Sequence, residues 1–149
     1  MTELPARIQS EMPTKEAALA FVWARVPRPR TGYLTLLGIG PFIQLVDLIR
    51  GRRQRKVVRE GSREINFPLD RNMAMAVTSQ RVLIWRASRH ARTRPVLLGE
   101  VTRDRIAAAK LPFVNDGWQW VEVRLVGGGG VRFLVDGKGA EDFVRALQP

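Results

Sequence analysis

Arginine is the residue through which this chain could do chemistry. Arg50, Arg52, Arg53, Arg55, Lys56 and Arg59 fall within ten residues, and Arg86, Arg89, Arg92 and Arg94 within nine. A guanidinium stays charged at physiological pH and presents a planar fork of donors that fits phosphate and carboxylate oxygens. Residues 50–94 hold 13 Arg or Lys against Glu60, Glu64 and Asp70, so they carry +10 of a net charge of +11. Residues 100–149 balance seven basic against seven acidic side chains, and residues 1–49 hold five against four. Positive charge concentrated in this way attracts polyanions, either an anionic lipid surface or a nucleic-acid backbone. A solvated basic surface that keeps the chain soluble is the plainer reading of the same residues.

Groups that make or break covalent bonds are sparse. The 149 residues include no Cys and one His, which removes disulfides, thiolate nucleophiles, Cys-ligated metals and multi-histidine sites. His90 sits among Ser88, Arg89 and Arg92 with no carboxylate near it in sequence to orient it as a base. Gly127-Gly-Gly-Gly130 lacks the Lys and Ser/Thr of a phosphate-binding loop and leads into an alternating run, so it reads as a hairpin turn. Asp136-Gly-Lys reads as a helix cap. No Gly-x-Ser-x-Gly elbow is present. The expectation is a chain that is not an enzyme and uses neither a metal nor a cofactor.

One apolar segment stands directly before the first basic cluster. Residues 33–49 contain a single charge, Asp47, and are interrupted by Gly38, Gly40 and Pro41. A spanning helix needs roughly 20 apolar residues, so a break at Gly40-Pro41 fits better, with a second helix from Pro41 to Arg50. On it Phe42, Ile43, Leu45, Val46, Leu48 and Ile49 lie opposite a narrow stripe of Gln44 and Asp47. An apolar helix followed by a polybasic run is the pattern of an interfacial membrane anchor. The alternative is that 33–49 packs on the domain's own sheet, or between subunits, and the basic run is a loop leaving it.

These residues need a scaffold. Residues 14–26 read as a helix capped by Thr14, with Glu16 in its first turn and Pro27-Arg28-Pro29 ending it. From about residue 65 the period shortens. Strands are expected over Asn72–Thr78 and Arg81–Ala87 around a tight Ser79-Gln80 turn, then over Pro95–Val101, Arg105–Lys110, Trp118–Val126 and Val131–Asp136. In Trp118–Val126 the aliphatic Val121, Val123 and Leu125 oppose Trp118, Trp120, Glu122 and Arg124. The two indoles could meet a membrane interface or a base, or be covered by the N-terminal helix with its Phe21 and Trp23. Met73 and Met75 read as core filling. Ala140, Phe143, Val144 and Leu147, at helical spacing, close the chain with an amphipathic helix over about 138–147.

The run Ala76-Val-Thr-Ser-Gln-Arg-Val-Leu-Ile-Trp85 resembles the first hairpin of bacterial pleckstrin-homology-like (PH-like) domains. Leu98-Gly-Glu-Val101, two later strands joined by a glycine turn and the closing Ala140–Leu147 are similar to the rest of that pattern. The resemblance covers roughly residues 57–147. It implies an α+β fold, a bent antiparallel sheet or partial barrel of about seven strands capped by a C-terminal helix, with a non-enzymatic role in binding lipids, peptides or other subunits. Many eukaryotic relatives hold inositol phosphates in a long loop between the first two strands; taken as the first turn, Ser79-Gln80 is too short for that.

The sequence therefore predicts an N-terminal helical segment over 1–56 and a PH-like domain over 57–149. It predicts a cytoplasmic module, peripheral at the inner face of a bacterial plasma membrane. Arg50, Arg52, Arg53, Arg55, Lys56, Arg86, Arg89, Arg92 and Arg94 are the candidate membrane- or anion-binding residues. Phe42, Ile43, Leu45, Val46, Leu48, Ile49, Trp118 and Trp120 are the candidate apolar contacts. The expected partners are an anionic membrane surface and a protein, with nucleic acid or a second copy of the chain as alternatives. No secretory leader is expected from Met1–Arg7.

Overall fold

The computed structural model describes residues 3–26, 66–112 and 117–148. The apolar segment 33–49, with the helix predicted from Pro41 to Arg50, and the basic run 50–56 lie outside these residues. After a short helix α1 (Ala6–Gln9) come seven antiparallel strands: β1 (Ala20–Arg25), β2 (Met73–Val77), β3 (Arg81–Arg86), β4 (Val96–Thr102), β5 (Ile106–Lys110), β6 (Trp118–Leu125) and β7 (Gly130–Asp136). A 3-10 turn, Arg103–Arg105, joins β4 to β5, and helix α2 (Gly137–Leu147) closes the chain. The strands form one open sheet in the order β4-β3-β2-β1-β7-β6-β5.

β1 joins the two halves of the sheet: residues Ala20–Ala24 pair with β2, whereas only Ala24 and Arg25 pair with β7. The main core lies on one face. It takes Ala20, Val22 and Ala24 from β1, Met73, Met75 and Val77 from β2, Val82 and Ile84 from β3, and Val121, Val123 and Leu125 from β6. Helix α2 seals it with Ala140, Phe143, Val144 and Leu147. Phe133 sits at the centre, stacked on Phe67 at 5.9 Å and meeting Phe143 edge-on at 6.4 Å. The Asp136 side chain caps α2 by accepting from the Lys138 amide, as expected for an Asx residue at this position.

A second, smaller core lies on the other face of β1–β3. Phe21, Trp23, Ala74, Ala76, Leu83 and Trp85 are covered by Ile8 of α1, with Leu4, Met12, Ala18 and Trp118 packed around them. Arg7 fastens this cover. Its guanidinium lies 5.3 Å from the centre of the Trp23 ring and donates to the carbonyls of Ser88 (2.7 Å), Arg89 (3.0 Å) and Ala91. Replacing Arg7 with Ala is expected to cost about 1–3 kcal/mol in urea unfolding, the scale of hydrogen bonds from a charged group. An unchanged midpoint would mean that the cover is held by apolar contact alone.

The helix predicted over 14–26 is absent: Ala20–Arg25 forms a strand, and residues 14–19 are turn and irregular chain. Ala20–Ala24 is buried on both faces, with alternate side chains entering the two cores. An apolar run of this length has no polar face to reveal its period, and periodicity alone cannot distinguish it from a buried helix. This strand comes first, so every later strand moves up by one. Among the described strands Ala76–Trp85 belongs to the second and third, the Ser79-Gln80 turn joins those two, and residues 26–72 lie between the first and second. The sheet likewise begins at residue 20 rather than after residue 57. The remaining strands and α2 fall within two residues of their predicted limits.

An ion-pair cluster joins the N-terminal segment to the sheet. Arg81 donates to Glu16 and, at 2.5 Å, to Glu100. The Arg81 hydrogen bond holds the Glu16 carboxyl below the usual carboxylate range, against the opposing effect of burial. Because the folded-state pKa is lowered, the stability that Glu16 contributes is present above the ordinary carboxylate range. It is lost as pH falls through the lowered value. Glu16→Gln is expected to flatten the acid limb of stability against pH, and an unaltered limb would refute the linkage.

Candidate functional site

The antiparallel register brings several chain segments to one end of the sheet. Met73 pairs with both Ala24 and Arg86, and Arg86 pairs with Val96. The same end therefore carries the exit of β1, the entry to β2, the 87–95 loop and the start of β4. The described chain stops at Val26, just beyond β1, and resumes at Asn66; the sequence between holds nine Arg or Lys against Asp47, Glu60 and Glu64. Of the two basic clusters, the second, Arg86 to Arg94, is placed at this end of the sheet, and the first lies outside the described residues.

The predicted arginines of the second cluster are individually engaged. Arg86 donates through Nε to Asp70 at 2.5 Å, Arg89 meets Asp136 at 2.7 Å, and Arg94 meets Glu11 at 2.8 Å. Only Arg92 makes no ion pair with an acid among the described residues. These pairs moderate the field that the cluster projects, although exposed pairs of this kind add little to stability. His90 is an exposed loop residue.

The two predicted tryptophans differ in setting. Trp118 is half-buried against the second core, with the Arg25 guanidinium 4.1 Å from its ring centre. The cluster it packs against contains Phe21 and Trp23, which lie on β1 beneath α1 rather than on the predicted N-terminal helix. Trp120 is half-buried and stands opposite Leu134 of β7. The predicted contacts Phe42, Ile43, Leu45, Val46, Leu48 and Ile49, like Arg50, Arg52, Arg53, Arg55 and Lys56, lie outside the described residues.

A groove of about 360 Å³ opens at this same end, lined by Asn66, Pro68, Leu69, Asp70, Arg86, Leu98, Gly99 and Glu100. Pro68 crosses over Gly99, where an added Cβ would come within 3.0 Å of the proline ring. The Asp70 side chain is only 9% exposed and also accepts from the Arg71 amide at 2.7 Å. Sequence reasoning missed Asp70. A single acid between Leu69 and Arg71 carries no local signal, and its partner lies 16 residues away.

Among the described residues no helix is long and apolar enough to cross a membrane, and no group of three or more potential metal ligands gathers. The architecture is α+β: a seven-stranded antiparallel sheet with a C-terminal helix. Comparison with protein-family models, curated proteins and solved structures finds no match.

Proposed function

We propose that the protein is a non-enzymatic PH-like binding module that associates with the cytoplasmic face of a bacterial membrane and recruits a protein partner there. The observation that supports this reading is the second basic cluster, Arg86 to Arg94, at the end of the sheet where β1 also ends, with the first cluster following β1 in the sequence. A doubly covered three-stranded region and an α2-sealed core leave that end as the place where sequence is spent on charge rather than packing. A four-stranded meander, β1–β4, and a three-stranded one, β5–β7, joined where β7 pairs with β1 and followed by a helix, support the PH-like reading.

The apolar residues 42–49 and the run Arg50–Lys56 supply the two ingredients of peripheral binding, a surface to bury at the lipid interface and charge for anionic headgroups. Residues Arg86 to Arg94 have a lesser part, because three of the four guanidiniums already have acidic partners. The attraction is to anionic lipid in general.

Nucleic acid competes for the same charge, so the test sets the two polyanions side by side. The full chain is titrated against vesicles containing phosphatidylserine and against duplex DNA in the same physiological-salt buffer. The expected result is tighter binding to vesicles. Tighter binding to DNA, with the steep salt slope of counterion release, would overturn the membrane reading in favour of a nucleic-acid-associated protein.

A further inference from the structure

We propose that the groove beside β4 receives an extended peptide of a partner protein, which pairs with the outer edge of that strand, unpaired among the described residues, and places a carboxylate on Arg86. The inference rests on the binding-module reading and specifies the partner's chemistry.

Arg86 is prepared for this role by what holds it. Its Nε is committed to the buried Asp70, which fixes the plane of the guanidinium, and no second acid among the described residues pairs with it. The side chain is 58% exposed and lines the groove. A guanidinium oriented through Nε and exposed beyond it is a ready fork for the two oxygens of a carboxylate. Arg89 and Arg94 also have acidic partners, but neither lines the groove.

The strand beside Arg86 is suited to an extended chain. Among the described residues β4 is the last strand on its side of the sheet. Edge strands are commonly blunted by charged side chains, proline or bulges; β4 carries Glu100, held by Arg81, and one register shift, but its stretch beside Arg86 presents Val96 and Leu97, each 54% exposed. The opposite edge, β5, ends in Lys110. A register shift opposite Ile84 and Trp85 turns Leu98 toward the core beside the groove. Irregularities of this kind recur next to binding sites, where they re-aim side chains. Main-chain pairing would give affinity, and the carboxylate on Arg86 would fix register and polarity.

The test exposes the full chain to two immobilised libraries of random heptapeptides, one amidated at the C-terminus and one ending in a free carboxylate. Bound peptides are expected to be enriched in Asp or Glu at a fixed position, or to come from the free-acid library alone. The first result assigns the carboxylate to a side chain and the second to a chain terminus. Amide shifts in the wild-type protein should concentrate in residues 66–70 and 96–100. Arg86→Gln should weaken the selected peptides at least ten-fold. Arg86→Lys, which keeps a charge beside Asp70 but lacks the fork, should also weaken them and guards against a folding defect in the first variant. Absence of bound peptides, selection without acidic enrichment, or equal binding by both variants and the wild type would overturn the proposal. Vesicle binding is read separately, so loss of peptide binding alone leaves the membrane reading standing.

Discussion

Replacing Arg52, Arg53, Arg55 and Lys56 together by Gln is expected to weaken binding to anionic vesicles by about a thousand-fold. Each basic residue near an anionic surface contributes about 1 kcal/mol, and four such contributions correspond to nearly three powers of ten in affinity. The substitutions remove four of the nine basic side chains in residues 27–65 while leaving every described strand and both cores unaltered. Unfolding in urea should therefore be little changed, which separates lost charge from lost structure. As a comparison, Arg92→Gln removes the one guanidinium of the second cluster with no acidic partner among the described residues and should cost no more than about ten-fold. Unchanged vesicle binding by the quadruple variant would remove the first cluster from the interface.

The second large effect concerns the seal on the core. Phe143→Ala is expected to destabilise the fold by about 3–5 kcal/mol, the cost of truncating a buried aromatic ring and leaving a cavity. Phe143 is fully buried and meets Phe133 edge-on, and Phe133 stacks on Phe67. Removing the ring therefore disturbs a chain of three aromatics that links α2, β7 and the segment leading into β2. That segment also carries Asp70, the partner of Arg86, so the site loosens together with the core. Val126→Ala, at a position 64% exposed, should lie within about 0.5 kcal/mol of wild type. Equal urea midpoints for the two variants would show that α2 does not seal the sheet.

What the sequence disclosed depended on whether an element has a wet face. Trp118–Leu125 alternates because Val121, Val123 and Leu125 point into the core while Glu122 and Arg124 point away, and its limits were legible within a residue. α2 announced itself in the same way, through Ala140, Phe143, Val144 and Leu147. β1 has no wet face over Ala20–Ala24, so its strand character was hidden, and with it the fact that residues 26–72 connect two neighbouring strands. The basic clusters were plain in composition. Their individual partners were not, because Asp70, Asp136 and Glu11 lie 16, 47 and 83 residues from the arginines they engage. Pairing at such distances is decided by strand register, which composition does not encode.

The central claim is that this end of the sheet meets an anionic membrane. Flotation of the purified full chain with phosphatidylserine-containing and with purely zwitterionic vesicles, each at low and at high salt, tests it most directly. The expected result is flotation with anionic vesicles at low salt and release when salt screens the charges. Residual flotation with both vesicle types at high salt would add insertion of residues 33–49 to that contact. Failure to float with anionic vesicles at low salt would contradict the claim.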